Sequence, residues 1–152
     1  MPSSNYNSKS DLRDTREFHF GSVWKVDDRD VSIPQIDKLS STRNVHPERW
    51  VVVISNNNEN YHPLCPIVTV APLSHRVDLK RAFDLELSKS NDNVKVDCLL
   101  QLKLSQPILK VDLYEEQGEI SDDKKVELQV LLEGFYGLSF EDEDEDDEGE
   151  SL

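Results

Sequence analysis

Three apolar segments in the first half of the chain restrict its fold more than any other feature. Residues 20–26 form a short stretch around a tryptophan, and residues 50–54 and 67–73 are apolar runs bounded by polar residues. These runs are too short for helices, and their β-branched residues favour strands that are buried on both faces. Arg49 stands directly before the second run, and Ser74 directly follows the third.

Two later segments have the alternating pattern of strands with one face turned inward. Residues 83–87 alternate apolar and acidic side chains, and residues 94–101 carry an apolar side chain at every second position. Short polar segments of the kind that form turns separate these stretches. Four or five strands joined in this way predict a small antiparallel β-barrel.

The apolar period changes near the C-terminus, where we predict one amphipathic helix over residues 122–136. Ser121 is suited to cap the free amides of the first turn, and the two aspartates that follow suit the positive end of the helix dipole. We expect the helix to pack against the barrel and to end near Gly137. The apolar residues that recur at helical spacing are Val126, Val130, Leu131, Phe135 and Leu138.

The length of 152 residues allows one compact core with tails on either side. Residues 1–17 are polar and predict a flexible arm, residues 18–139 form the folded body, and residues 140–152 predict a disordered acidic tail. The chain has a formal charge of −14, and residues 141–150 contribute nine of its 31 acidic side chains. Outside that run, 22 acidic residues against 17 basic ones leave −5. Any nucleic-acid site is therefore a local patch with salt-sensitive binding.

Composition also argues against several other classes of protein. No apolar run approaches the ~20 residues that cross a bilayer, and the N-terminus lacks the pattern of a secretory signal, so we expect a soluble cytoplasmic protein without membrane contact. Cys65 and Cys98 lack the spacing of a metal site, and the four histidines are scattered singly. We therefore expect buried thiols and no metal or other cofactor.

The order of the motifs resembles the MazF/PemK family of toxin endoribonucleases from bacterial toxin-antitoxin systems. The resemblance spans about residues 20–138, and the order of five elements carries more weight than any one of them. The elements are 21–24 (Gly-Ser-Val-Trp), 49–55 (Arg-Trp-Val-Val-Val-Ile-Ser), 70–74 (Val-Ala-Pro-Leu-Ser), 101–103 (Gln-Leu-Lys) and the closing helix 122–138.

The resemblance implies a mainly β fold with a C-terminal helix, namely a small SH3-like antiparallel barrel of the PemK/CcdB type. It also implies a homodimer that cleaves single-stranded RNA without a metal, by attack of the ribose 2′-hydroxyl on the adjacent phosphorus, and that is neutralised by a cognate antitoxin protein. Arg49 matches the family's catalytic arginine, and Ser74 stands where the family has its catalytic threonine. An arginine fork grips phosphoryl oxygens, and the hydroxyl of Ser74 donates to the same phosphate.

The base that accepts the proton of the attacking hydroxyl stays open, because arginine is protonated at any ordinary pH. His46, in the loop before Arg49, and His75, next to Ser74, are the candidates for proton transfer, since neutral imidazole accepts a proton near pH 7. The residues expected to contact RNA are Lys25, Arg76, Gln101 and Lys103.

Two departures from the family pattern keep other functions open. Trp50 occupies the place of a proline that usually follows the arginine, and the loop 29–48 lacks the family's usual sequence. One alternative is a barrel that binds a partner without catalysis, and another is a toxin that inhibits a protein target such as a topoisomerase. Taken singly, Arg49 is also readable as a surface charge and Ser74 as a turn residue. One interpretation of the acidic tail is that it keeps the protein soluble. The other is that it mimics RNA and occupies the basic groove of its own chain.

Overall fold

The computed structural model describes residues 6–39 and 43–138. In these residues the chain forms seven strands, two single-turn α-helices, one long α-helix and five short 3-10 helices. The strands are β1 (Ser22–Val26), β2 (Arg49–Val53), β3 (Ile67–Ser74), β4 (Asp84–Leu87), β5 (Cys98–Gln101), β6 (Gln106–Leu109) and β7 (Tyr114–Glu119), and the helices are α1 (Pro34–Asp37), α2 (Asn57–Asn60) and α3 (Asp122–Phe135). The predicted mainly β class with a C-terminal helix is confirmed.

The strands form one antiparallel sheet in the order β4-β5-β3-β2-β1-β7, and β6 also pairs with β3. The long strand β3 is the centre of this arrangement. Its first half pairs with β6, its last two residues pair with β5, and β2 runs along its other side. The end of β3 therefore lies where three strands meet.

The prediction of four or five strands was too low, because β6 and β7 carry little apolar signal. β6 contains Pro107, which cannot donate to a ladder, and β7 is dominated by glutamate and glutamine. The prediction of a strand over 94–101 was wrong for its first half. Asn93 has a φ of 57° and its side chain donates to the Glu119 carbonyl at 2.6 Å, so the chain turns there and the strand starts only at Cys98.

The three central strands separate two apolar clusters, as expected for strands buried on both faces. Val23, Val52 and Ala71 belong to the cluster beneath α3, whereas Val51 and Val70 belong to the opposite cluster with Phe18 and Trp24. Alternate side chains of a strand point to opposite faces, so each strand contributes to both clusters. The core therefore fixes the register of β1, β2 and β3.

Helix α3 begins where the sequence predicts, but its buried face differs from the predicted one. The Ser121 hydroxyl accepts a hydrogen bond from the Lys124 amide at 3.3 Å and caps the helix. Val126 and Val130 are 58% and 61% exposed, so two residues of the predicted apolar face lie outside the core. Leu138 is also exposed. The residues that pack inward follow the spacing i, i+3, i+4, i+7 and are Leu128, Leu131, Leu132 and Phe135.

The described part of the N-terminal segment lies against the body. The Tyr6 hydroxyl donates to Asp112 at 2.6 Å, and Arg16 donates to the Lys110 carbonyl at 2.7 Å. The Arg16 guanidinium also lies 5.2 Å from the ring centroids of both Phe18 and Trp24. The division into 1–17, 18–139 and 140–152 stays a prediction, and the acidic tail lies outside the described residues.

Among the helices of the described chain, none combines the length and apolar character that a membrane crossing requires.

Candidate functional site

A pocket of about 240 Å³ opens where β2 begins, β3 ends and the segment before β5 approaches them. It contains all four residues predicted for catalysis and proton transfer. The lining residues are His46, Glu48, Arg49, Trp50, Leu73, Ser74, His75, Val94, Lys95, Val96 and Cys98.

Strand register brings Arg49 and Ser74 together. Val51 pairs with Pro72 and Val52 with Ala71 in the antiparallel β2–β3 ladder, so the same register carried two residues further sets Arg49 opposite Ser74. The Arg49 Nη1 donates to the Leu73 carbonyl at 3.3 Å, next to Ser74. The predicted pair therefore shares one wall of the pocket.

The Arg49 side chain is held by a buried carboxylate that the sequence analysis missed. Its Nε donates to Asp28 Oδ1 at 2.7 Å, and Asp28 is completely buried just after β1. Asp28 also accepts from the Arg43 guanidinium and, at 3.0 Å, from the His46 amide. Nothing in the run Asp27-Asp28-Arg29-Asp30 singles out one aspartate as the partner of Arg49.

These contacts determine the ionisation of Asp28. Burial alone would raise the pKa of its carboxyl, but hydrogen bonds from Arg49, the His46 amide and Arg43 hold that pKa below its ordinary value. Asp28 is therefore ionised at neutral pH. The single negative charge of Asp28 faces the two positive charges of Arg43 and Arg49.

Ser74 is half-buried at the end of β3, and its hydroxyl oxygen accepts a hydrogen bond from the Arg76 amide at 3.2 Å. A hydroxyl that accepts from a backbone amide still has its own proton to donate. His46 and His75 are both exposed at the pocket. The arrangement thus offers a guanidinium, a hydroxyl donor and two imidazoles to one ligand.

The four residues predicted to contact RNA lie outside the pocket lining. The Lys25 ammonium is bound by Glu115 at 2.8 Å, and Arg76 is paired with Asp78 at 3.1 Å. Gln101 faces Asp84 in the β4–β5 ladder, and Lys103 is exposed in the turn that follows β5. Their contact with a substrate stays a prediction.

Lys95 is a pocket residue that the sequence analysis did not select. It is exposed, it lines the pocket wall formed by the segment before β5, and within the described residues no carboxylate lies within 4.0 Å of its ammonium. The polar segment that ends at Asn93 predicted a turn, but the alternation from Val94 onward concealed that the loop continues to residue 97.

Cys98 and Cys65 are free thiols in different surroundings. Cys98 is 4% exposed at the pocket, and burial, with Asp92 and Asp97 nearby, raises its pKa to about 12. Cys65 is half-buried and does not line the pocket. In the part of the chain that is described, no three His, Cys, Asp or Glu side chains converge as metal ligands do.

Comparison with known proteins identifies the fold. No family profile matches the sequence, and no curated protein matches it either. Solved structures do match. An endoribonuclease from a mycobacterial species aligns with a TM-score of 0.60 at 14% identity, over 83% of this chain and 97% of that one.

Two similar structures are complexes. A mycobacterial endoribonuclease bound to its cognate antitoxin aligns with a TM-score of 0.57 at 16% identity, over 80% of this chain and 95% of that one. A MazE-MazF structure from Deinococcus radiodurans aligns with a TM-score of 0.55 at 15% identity, over 83% and 100% of the two chains. The architecture is therefore the small β-barrel class with a closing helix. Within that class, the chain has the fold of the MazF toxins, as the motif order implied.

Proposed function

We propose that this protein is a MazF/PemK-like endoribonuclease that cleaves single-stranded RNA without a metal and is neutralised by a cognate antitoxin. The observation that carries the proposal is the placement of Arg49 and Ser74 at facing ends of adjacent strands, on one wall of a pocket. The fold shared with MazF structures supports the proposal, because the motif resemblance assigns the catalytic roles to these two positions.

The chemistry requires stabilisation of charge on the phosphoryl oxygens. Arg49 is anchored through Nε, and its Nη1 gives one hydrogen to the Leu73 carbonyl, so Nη2 and the second hydrogen of Nη1 are the donors available to a phosphate. Ser74 has a hydroxyl proton available to the same group. Fixed donors of this kind stabilise charge that develops in the transition state more than charge already present in the substrate.

Proton transfer falls to the imidazoles in this proposal. His46 and His75 stand at the pocket from two different strand ends, so one is positioned to accept the proton of the 2′-hydroxyl and the other to donate to the departing oxygen. Glu48 also lines the pocket, but its Oε2 accepts from the Trp50 indole at 3.0 Å. The histidines are therefore the better candidates.

Two pocket residues, Lys95 and Trp50, define the proposed path of the RNA. Lys95 supplies a phosphate contact on the wall formed by the segment before β5, and the half-buried Trp50 supplies a surface for base stacking. Since the body of the protein is acidic, this basic patch is small, so RNA binding is weak and sensitive to salt.

The partners follow from the same proposal. One similar structure is an endoribonuclease with its cognate antitoxin, which supports an antitoxin partner for this chain. A homodimer and a cytoplasmic location are the arrangement that the family resemblance implies.

The test is cleavage of a long unstructured RNA by the purified protein in EDTA, with mapping of the new ends. We expect a cyclic phosphate and a 5′-hydroxyl, and growth arrest when the protein is expressed. Arg49→Ala abolishes both, whereas Arg81→Ala, a change in an exposed arginine outside the pocket, leaves both intact. Uncut RNA together with harmless expression supports a binding module, and uncut RNA together with topoisomerase inhibition supports the protein-directed toxin.

A further inference from the structure

We propose that Asp28 is the positioning residue for Arg49 and that Arg43 supplies the charge that keeps the pair cationic. The activity part of this inference rests on the proposed function, but the geometry is independent of it. Asp28, Arg43 and Arg49 are called the buried triad below.

Asp28 controls the direction in which Arg49 points. Of the five guanidinium donors, the Nε–H is the one nearest the main chain, and this is the donor that Asp28 engages at 2.7 Å. The terminal Nη1 makes a 3.3 Å bond to the Leu73 carbonyl, beside Ser74. A carboxylate that bound the two terminal nitrogens would block the fork, whereas this one leaves the fork turned toward Ser74.

Arg43 adds a second positive charge beside the Asp28 carboxylate. One buried carboxylate beside one guanidinium sums to zero and would weaken the attraction of Arg49 for a phosphate. The Arg43 side chain is 12% exposed and binds the same carboxylate, so Asp28, Arg43 and Arg49 alone sum to +1. Asp37 also pairs with Arg43 at 3.2 Å, but its side chain is 33% exposed, so solvent screens its charge and it offsets that surplus only in part. Asp28, with two arginines and the His46 amide as partners, is satisfied without neutralising the site.

Arg43 also ties the triad to the loop before β2. It donates to the carbonyls of Val31 at 2.8 Å and Asp28 at 2.7 Å, and to the Asp37 carboxylate at 3.2 Å. The His46 amide, three residues before β2 begins, bonds to the same Asp28. Arg43 and His46 belong to the loop that differs from the family pattern. This loop therefore binds Asp28, which in turn binds the proposed catalytic arginine.

The inference predicts opposite kinetic effects for two members of the triad. Asp28→Asn frees Arg49 and removes a negative charge, so kcat falls by about 100-fold without a rise in KM, because a small misplacement of a reacting group has an effect of that order. Arg43→Met leaves the direction of Arg49 intact but removes the surplus charge, so KM rises with a smaller change in kcat. An ion pair that only stabilises the fold lowers the melting temperature without producing this split.

The experiment combines kinetics with a readout that does not need catalysis. Side-chain ¹⁵N NMR of the wild type follows the Nε–H of Arg49, assigned with Arg49→Lys. We expect a slowly exchanging resonance that is lost in Asp28→Asn and kept in the matched control Arg81→Met. A rapidly exchanging Arg49 signal in the wild type overturns the proposal, whether or not the protein cleaves RNA.

Chemical rescue separates positioning from folding. In Arg49→Ala, the vacated space beside Asp28 is expected to accept methylguanidinium and to regain cleavage, and in Asp28→Asn/Arg49→Ala it is not. Equal rescue in both variants, or a wild-type kcat in a folded Asp28→Asn, overturns the inference. A wild type that never cleaves RNA but shows the protected Arg49 signal refutes the proposed function alone and leaves the positioning supported.

Discussion

Lys25 and Trp50 lie opposite each other in the β1–β2 ladder, and the Lys25 ammonium stands 5.5 Å from the centroid of the Trp50 ring. Glu115 and Glu48 bind the same ammonium, at 2.8 Å and 3.8 Å. The ring that replaces the family's usual proline is therefore held in place at the pocket edge by a cation–π contact.

Tryptophan fluorescence is expected to report RNA binding through Trp50. We predict that a non-cleavable 2′-O-methyl oligonucleotide quenches the emission of the protein, because a base stacks on the Trp50 ring. Trp24 is 3% exposed and its indole donates to Ser22, so it does not respond. Trp50→Phe should lose the quenching, whereas persistent quenching in that variant would contradict the assignment.

Replacement of Ser74 tests the role of its hydroxyl. A hydrogen bond to a charged group contributes about 1.5–3 kcal/mol, so Ser74→Ala is expected to lower kcat by roughly 10-fold to 100-fold. Ser74→Thr keeps the hydroxyl and should retain most of the activity. Single-turnover cleavage rates measure the difference, with Ser90→Ala as a control on an exposed serine. Equal rates for Ala and Thr would remove the hydroxyl from the mechanism.

Lys95 is expected to contact a phosphate of the RNA. Lys95→Ala should weaken binding and reduce the slope of log K against log salt by about 0.7, the value for one phosphate contact on a single strand. Lys103→Ala is the matched comparison, because Lys103 is also exposed but lies outside the pocket lining. Titrations at several salt concentrations decide between them, and an effect confined to Lys103 would restore the assignment made from sequence.

The inner face of α3 is tested by two substitutions two residues apart. Leu128 is completely buried and Val126 is 58% exposed. Leu128→Ala is expected to reduce the free energy of unfolding by about 2–5 kcal/mol, because it leaves a cavity in the core. Val126→Ala should change it by roughly 0.5 kcal/mol or less. Denaturant unfolding of both variants measures this, and similar losses would contradict the observed face.

The two cysteines should differ in reactivity. Because the thiolate is the reactive form and the pKa of Cys98 is raised to about 12, its thiol stays protonated at pH 8. We expect iodoacetamide to label only Cys65 in the native protein at that pH, and both residues after unfolding. Mass spectrometry of the labelled peptides checks this. Labelling of native Cys98 at pH 8 would show that the pocket is more open than described.

The sequence was informative where local pattern and burial coincide. The limits of the two apolar runs predicted where β2 begins and where β3 ends. Arg49 and Ser74 stand at those two positions, so their placement was predictable as well. The strand β7, rich in acidic side chains, was invisible because its place in the sheet comes from pairing with β1 rather than from its own apolar content. Asp28 was likewise hidden, since its partners Arg43 and Arg49 are 15 and 21 residues away and only the folded loop brings them together.

The composition of β7 has a consequence for the outer boundary of the sheet. In the described chain this strand ends the sheet on one side, with its register against β1 shifted between Val23 and Lys25. Glu115 and Glu116 are exposed there, and Glu115 has a φ of 52° that bends the strand. Clustered carboxylates on an irregular margin repel an approaching strand of another molecule. The barrel is thereby shielded from edge-to-edge aggregation on that side.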